Sequence, residues 1–394
     1  MPACRFRSTP LLAAFFMLGA TLAGGFAPAK LSKEKPPSAP VPAPAEAAPA
    51  EVEIAPMPAP TEAPRVEGEL APMPMHQVPV GVAPPPAMGP RLRATLVTHA
   101  LAGKQPTNCV ILDGGAMLAV TNRGDNTVSL FETATMTIVR TLPQVGYSAW
   151  GVAPVGDDRL LVANWAGSTI SIVDKTSGKR LGEIPVGMKP SYLALSPDGK
   201  KVFSAGNFSD DIAIADIATR RAMHQVPVGR KPMGVAVSPD GLWLYVAVCD
   251  SKKISKIDVR QETVVRTFGA PLAQTTNLVM TPDGRSLLAA GDEGRLLIID
   301  VETGNIEKVG VGTDLSSVAV TPDGRVALAA DYAAGTISLV DLLHQQKYAT
   351  IAAGQGTIHV ETDGKRMYAC NDKSATVSAF DLEPLDSVAT GTGM

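Results

Sequence analysis

Short runs with a bulky apolar side chain at every second position recur along most of the chain, and each run ends in an acidic residue. Ile170–Asp174, Ile212–Asp216 and Ile337–Asp341 are examples. Alternation with period two is typical of a β-strand whose two faces differ. The closing acids are spaced by 42, 42, 42, 42, 41 and 40 residues: Glu132, Asp174, Asp216, Asp258, Asp300, Asp341 and Asp381. The pattern therefore predicts seven copies of one structural unit.

Three further strands follow from the turn residues of each unit. Tight turns of the type Ser/Thr-Pro-Asp-Gly, such as Ser196–Gly199 and Thr321–Gly324, separate two short apolar strands, because Pro fixes one torsion and Gly accepts a positive φ. Another strand ends in Val-Gly, as at Val186-Gly187, and leads through two residues to Pro190. Seven units of four strands predict an all-β fold, a seven-bladed β-propeller of four-stranded antiparallel blades.

Two segments compete for the outer strand of the last blade. Ala94–Gly103 leads through Lys104 to Pro106 in the way that the Val-Gly strands lead to Pro190. Asp386–Gly393 also has the pattern of an outer strand. We favour the N-terminal segment, which would join the two ends of the ring.

The apolar strands also resemble a known repeat. Val120–Asn122, Leu161–Asn164, Leu244–Val248 and Met367–Asn371 resemble the Tyr-Val-Thr-Asn signature of the YVTN repeat family. The Pro-Asp-Gly turns fit the same repeat, and the resemblance covers about residues 91–394. It implies an exported seven-bladed propeller that often serves as a binding or envelope protein, without a shared catalytic set. Units one and two lack the Pro-Asp-Gly turn, so their hairpins are expected to differ.

The chain before residue 91 has a different character. Residues 1–27 combine Arg5 and Arg7 with the apolar stretch Leu11–Leu22 and small residues before Ala27, which predicts a signal peptide. Residues 28–90 contain 18 of the 33 prolines and no aromatic residue, so we expect a disordered Pro/Ala-rich linker. The predicted location is periplasmic or secreted, with an N-terminal membrane anchor as the alternative if the signal is not cleaved.

One heptapeptide occurs twice. Met75–Gly81 in the linker and Met223–Gly229 in the repeat have the same sequence. The first copy is interpreted either as a remnant of duplication or as a strand mimic that docks on a sheet edge.

Charge and motif content exclude several functions. The formal net charge of -3 lacks the basic excess that nucleic-acid binding or anionic lipid favours. The five histidines show no metal-ligand spacing, and no Cys-x-x-Cys-His motif occurs. We therefore predict no metal and no cofactor. Cys109 and Cys370 fall in neighbouring blades. The sequence is compatible with a disulfide between them and equally with two free thiols that pack as small apolar groups.

The available surface is predicted from connectivity. In each blade the hairpin between the second and third strands and the crossover to the next blade emerge on one face, the funnel mouth. His359 is added as an inner-strand candidate, because it falls where other units have Ala194, Ala236 and Ala319. The candidate ligand- or partner-binding residues are Lys104, Asn122, Asn164, Trp165, Lys189, Asn207, Phe208, Arg230, Lys231, Asp331, Tyr332, His359 and Asn371.

Two functional classes remain. The first is an exported, non-catalytic binding or scaffold propeller, a monomer that uses its funnel mouth for a protein, peptide, glycan or small anionic ligand. The alternative is a propeller-type enzyme such as a lactonase or lyase, which needs acid–base groups at the channel. The residues name no catalytic set, and the enzyme remains the second hypothesis.

Overall fold

The computed structural model describes residues 91–270, 274–291 and 293–385. These residues form seven four-stranded antiparallel sheets in sequence order around a ring, which confirms the predicted seven-bladed β-propeller. The predicted signal peptide, the linker with its copy of the heptapeptide, and the segment 386–393 lie outside the described residues. The described part contains two helices, the 3-10 turns Asp113–Gly115 and Cys249–Ser251. None of its helices is long and apolar enough to cross a membrane.

The strands are numbered along the chain. The first outer strand is β1 (Arg91–Leu101), and the strands of blades 1 to 3 are β2 (Pro106–Leu112), β3 (Met117–Asn122), β4 (Thr127–Glu132), β5 (Thr137–Leu142), β6 (Ala149–Val155), β7 (Arg159–Asn164), β8 (Thr169–Asp174), β9 (Arg180–Pro185), β10 (Pro190–Leu195), β11 (Lys201–Gly206), β12 (Asp211–Asp216) and β13 (Arg221–Pro227). The strands of blades 4 to 7 are β14 (Pro232–Val237), β15 (Trp243–Val248), β16 (Lys253–Asp258), β17 (Thr263–Gly269), β18 (Thr275–Met280), β19 (Ser286–Gly291), β20 (Arg295–Asp300), β21 (Ile306–Gly310), β22 (Leu315–Val320), β23 (Val326–Asp331), β24 (Thr336–Asp341), β25 (Gln346–Ala352), β26 (Thr357–Thr362), β27 (Arg366–Asn371) and β28 (Thr376–Leu385).

The core of the propeller lies between the blades. The described residues form seven hydrophobic clusters, and each cluster joins two neighbouring blades. Strand β3 shows how alternation produces this arrangement: Leu118 and Val120 pack towards blade 7, whereas Ala119 packs towards blade 2. Both faces of a blade are therefore buried, and each blade depends on its two neighbours.

The last blade takes its outer strand from the N-terminal side of the chain. β1 pairs antiparallel with β28 from Arg91↔Leu385 to Leu101↔Thr376, as predicted for the segment that leads to Pro106. Leu92 and Ala94 pack against the cluster between blades 6 and 7, and the Leu92 N–H donates to Tyr348 Oη at 3.1 Å. This pairing closes the ring with a strand distant in sequence.

The acids that end the third strands have a structural role. Asp174 Oδ1 accepts the Ser177 N–H at 2.6 Å, and the same turn recurs at Asp216, Asp258, Asp300 and Asp341. These hydrogen bonds lower the pKa of Asp174. Asp381 differs because β28 continues past it. The Asp381 carboxylate accepts a hydrogen bond from Arg366 Nε at 2.7 Å.

In blade 1 the 3-10 turn at Asp113 replaces the Pro-Asp-Gly turn, as expected.

Deletion of residues 91–103 should lower the melting temperature by more than about 10 °C, because it removes β1 and exposes β28 and the apolar side chains beneath it. Differential scanning calorimetry measures the change. The matched control is the double variant Leu96→Thr/Val97→Thr, which alters two exposed β1 side chains and keeps the strand. A deletion variant that melts with the intact chain would contradict the closure.

Candidate functional site: the funnel mouth

The hairpins and the crossovers share one face, as the connectivity predicts. In six of the seven blades, within the described residues, the N–H of the first hairpin residue donates to a carbonyl of the preceding crossover. The described bonds of this kind are Arg123 N to Gln105 O at 3.0 Å, Trp165 N to Ser148 O at 3.1 Å, Asn207 N to Lys189 O at 3.3 Å, Cys249 N to Lys231 O at 3.2 Å, Tyr332 N to Asp314 O at 2.9 Å and Asp372 N to Gly356 O at 3.0 Å. Each of these bonds joins a hairpin to the crossover that enters the same blade.

Several predicted ligand-binding amides lie beneath this surface. Asn122 is fully buried; its Nδ2 donates to Thr127 Oγ1 and Ser129 Oγ, and its Oδ1 accepts the Gly103 N–H at 3.1 Å. Asn164 and Asn371 occupy the same position and make the same pair of donations. Each of the three side chains bonds to the third strand of its blade, Asn122 also joins the crossover, and none of them presents surface to a ligand.

Two more candidates are used in the same way. Asp331 is buried at the position of the three asparagines, and its carboxylate accepts bonds from Thr313 and from the N–H groups of Ala333 and Ala334. Asn207 is buried and donates to Pro232 O at 3.1 Å. Their polar groups satisfy backbone at the mouth.

The residue that follows Asn122, Asn164, Asp331 or Asn371 in its hairpin is only partly buried and faces the mouth. Across blades 6, 7 and 1 these residues are Tyr332, Asp372 and Arg123. Tyr332 Oη donates to Asp372 Oδ2 at 3.3 Å. Burial lowers the pKa of Arg123, and the charge of Asp372 offsets part of this effect. Burial raises the pKa of Asp372, and the charge of Arg123 offsets part of that effect. Burial, with the charge of Asp372, raises the pKa of Tyr332 to about 12, so the phenol is protonated at neutral pH.

An aromatic stack continues this arc into blade 2. The Arg123 guanidinium lies 5.0 Å from the ring centroid of Trp150. Trp150 in turn stacks on Trp165, with ring centroids 5.0 Å apart and an interplanar angle of 28°. Offset stacking of this kind and a cation over an indole both stabilise the arrangement. The mouth is thus pre-organised from blade 6 to blade 2.

Beyond the stack, blades 2 and 3 expose a compact apolar area. Tyr147, Met188 and Phe208 are 73%, 54% and 52% exposed. Lys189, next to Met188 in the chain, has Nζ 3.7 Å from the Phe208 ring centroid and 5.7 Å from that of Trp165, and the Tyr147 carbonyl accepts the Ala166 N–H in the hairpin that contains Trp165. We call this surface the rim patch: Tyr147, Trp165, Met188, Lys189 and Phe208. Exposed apolar side chains grouped on one face mark interaction sites.

The basic residues next to the rim patch are largely paired with acids. Asp250 lies 3.1 Å from Lys231 Nζ and 3.6 Å from Arg230 Nε, and Lys104 Nζ lies 4.0 Å from Asp125. The mouth is therefore less positive than a count of its crossover lysines and arginines indicates. None of the described ion pairs involves Lys189.

His359 is buried on the inner strand β26. Its Nδ1 is 3.1 Å from Ser317 Oγ and 3.4 Å from Asn108 Nδ2. Its Nε2 lies 3.8 Å from Glu361 Oε2. The Tyr192 ring, from blade 3, approaches His359 across the channel with centroids 6.4 Å apart. Burial raises the pKa of Tyr192, so its phenol is neutral.

The expected alignment of His359 with the alanines of other units is wrong. Strand pairing shows that Glu361, not His359, occupies in blade 7 the position that Ala319 has in blade 6. His359 occupies the position of Ser317. The blade 7 hairpin is shorter: Ala319 pairs with Leu328, nine residues on, whereas Glu361 pairs with Tyr368, seven residues on. Counting back from the turn glycine therefore misplaces the histidine by two residues.

The described cysteines, Cys109, Cys249 and Cys370, are buried thiols, and none of them forms a disulfide. Cys109 and Cys370 share the cluster between blades 7 and 1. A hydrogen bond with Cys370, together with burial, raises the pKa of the Cys109 thiol well above its usual value. In the described part of the chain, no three His, Cys, Asp or Glu side chains are grouped so that they could hold a metal ion.

Tyr147 and Met188 belong to the rim patch but are not among the binding residues predicted from the sequence, which contains only a weak signal for them. Tyr147 and Met188 stand two residues before an inner strand, where blades 1, 4, 6 and 7 have Lys104, Arg230, Thr313 and Gln355. A large apolar residue at that position is the available signal. The crossover into blade 2 keeps the pair Val145-Gly146 of the repeat but has Ala149 where blade 3 has Pro190, so the position of Tyr147 is less obvious.

Comparison with known proteins supports the fold. The chain is 31% identical over 96 residues to the seven-bladed beta-propeller protein Rv1057 of Mycobacterium tuberculosis, and the aligned part is 24% of each chain. It resembles the solved structure of Kuenenia stuttgartiensis hydrazine synthase with a TM-score of 0.65 and 20% identity, covering 72% of this chain and 98% of that one. At that identity the likeness concerns the fold alone. No family model matches the chain.

Replacing Asn122 by Ala should reduce the free energy of unfolding by about 2–4 kcal/mol, because it removes the three hydrogen bonds of a buried amide and strands their partners. Urea denaturation measures the loss. Gln261→Ala, which truncates an amide at an exposed turn, should change stability by less than about 0.5 kcal/mol. Equal stabilities for the two variants would show that the hydrogen bonds of the Asn122 side chain are dispensable for stability.

Proposed function

We propose that this chain is an exported, non-catalytic recognition propeller of the YVTN type that binds a protein partner through the rim patch. The observation that carries the proposal is the exposure of Tyr147, Met188 and Phe208 in neighbouring blades, with Lys189 over the rings of Phe208 and Trp165, on a face whose amides serve the scaffold. The predicted signal peptide and Pro-rich linker support export and presentation of the propeller away from its attachment point.

The composition of the patch favours a protein partner. Aromatic and Met side chains are enriched at protein interfaces, where they fill pockets of the partner and exclude water. Lys189 is held over two aromatic rings, so its ammonium group is positioned before a partner arrives. A partner that presents an apolar side chain beside a carboxylate fits this arrangement. The paired residues Arg230, Lys231 and Lys104 would lie at the polar edge of such an interface.

The test is a pull-down from periplasmic extract, followed by calorimetry with the partner that is identified. We expect Met188→Ser/Phe208→Ser to weaken binding at least tenfold, because a few buried apolar anchors carry most of an interface's affinity. Lys189→Glu should weaken it further through repulsion. Leu343→Ser, which removes an apolar side chain that is 70% exposed at a third-to-fourth-strand turn, is the matched control. Binding that survives the rim variants and fails in the control would refute the proposal.

One arrangement favours the enzyme alternative. Ser317 and Asn108 orient His359 so that Nε2 faces Glu361 in the channel, an oriented imidazole beside a carboxylate. General acid–base catalysis in a lactonase or lyase requires such a group. If the chain is an enzyme of this class, a panel of sugar lactones should reveal a hydrolysis rate that His359→Ala reduces at least a hundredfold. A rate that His359→Ala leaves intact would remove this candidate.

A further inference from the structure

The interface between blades 4 and 5 contains a cation where the repeat has an aliphatic residue. The fourth residue of each third strand points towards the next blade and packs into the cluster between them. In six blades it is a buried apolar side chain: Leu130, Ile172, Ile214, Ile298, Leu339 and Ala379. In blade 4 it is Lys256, at the same point of β16.

Aromatic side chains surround this lysine. Its Nζ lies 4.0 Å from the ring centroid of Trp243 and 5.7 Å from that of Tyr245. Tyr245 belongs to the cluster between blades 4 and 5, and Trp243 packs against that cluster. The Lys256 side chain is partly buried, and its ammonium group lies against these aromatic rings.

A second cation faces it directly. Arg266 on the outer strand β17 is the cross-strand partner of Lys256. Its guanidinium lies 4.6 Å from the Phe268 ring centroid and donates to Glu302 O at 2.7 Å and Thr303 O at 3.0 Å in blade 5. Arg266 is thereby held in place across the interface. Like charges directly opposite in a sheet are destabilising.

No acid bonds to either cation in the described residues. None of the described ion pairs includes Lys256 or Arg266. The carboxylate of Asp240 acts on Lys256 at longer range, but its Oδ1 is engaged by Ser238 Oγ and by the Leu242 N–H at 2.9 Å. Burial and the charge of Arg266 lower the pKa of Lys256. The site therefore holds two oriented cations beside an aromatic wall.

We propose that the outer edge of the blade 4–blade 5 interface binds an oxyanion, the carboxylate or phosphate group of a small molecule, between Lys256 and Arg266. The anion accepts hydrogen bonds from the ammonium group and from the guanidinium, and it offsets their repulsion. Trp243 provides a flat apolar surface beside it for the rest of the ligand. The site is on the perimeter of the ring, separate from the rim patch, and it does not depend on the proposed function.

Thermal unfolding of the full chain at constant ionic strength tests this site. Sodium phosphate and sodium benzoate, each compared with sodium chloride, distinguish a phosphate ligand from an aromatic carboxylate. We expect at least one of the two to raise the melting temperature in a saturable way, since a ligand that binds only the folded state stabilises it. Calorimetric titration with the same anion then gives its dissociation constant.

Two variants with the same change of charge identify the residues. Lys256→Ile restores the aliphatic residue of blades 2, 3 and 5. It should melt higher than the natural chain in chloride and bind the anion at least tenfold more weakly. Lys308→Ile, at an exposed position of β21, should keep the full anion effect. The proposal is overturned if neither anion stabilises the natural chain, or if Lys256→Ile retains the effect.

Discussion

Burial of apolar surface between neighbouring blades is the interaction on which the rest of the structure depends. A four-stranded blade with apolar side chains on both faces cannot bury them alone, and each of the seven clusters is shared by two blades. A linear array would leave two faces exposed. Closure of the ring removes them, and the β1–β28 pairing joins the ends of the propeller within one sheet.

The same constraint explains which residues of the mouth are available for binding. Where hairpin meets crossover, backbone N–H and C=O groups are buried and need partners. Asn122 and Asp331 accept backbone N–H groups there, and Asn164 and Asn371 donate to hydroxyl groups of the third strand, so these four buried side chains belong to the scaffold. In blades 1, 2, 6 and 7 the next residue of the hairpin is only partly buried, and there the blades differ from one another. Trp165, Tyr332 and Asp372 are examples, and they give the mouth its individual chemistry.

Departures from the repeat are therefore the informative positions in this molecule. At the rim, Tyr147 and Met188 replace polar or basic residues at a surface position, where apolar exposure lowers solubility unless a partner covers it. At the perimeter, Lys256 replaces an aliphatic residue at a buried position, where a cation opposite Arg266 opposes folding. On the inner strand β26, Glu361 replaces an alanine. The substitutions at Tyr147, Met188 and Lys256 are unfavourable for the bare propeller, which is the physical reason for proposing functions at these positions.

The sequence by itself determined the strands, their number and the ring. Period-two alternation, the Pro-Asp-Gly turns and the regular spacing of Asp174 and its equivalents are local signals, and sevenfold repetition makes each one unambiguous. Only the tertiary structure decided which hairpin side chains reach the surface, because adjacent residues such as Asn371 and Asp372 point to opposite sides of a strand and have similar polarity. It also decided the position of His359, since a turn two residues shorter shifts the pairing of β26 with β27 without leaving a clear trace in the spacing. Contacts across the ring, such as Tyr192 with His359, join residues far apart in the chain, and no local pattern encodes them.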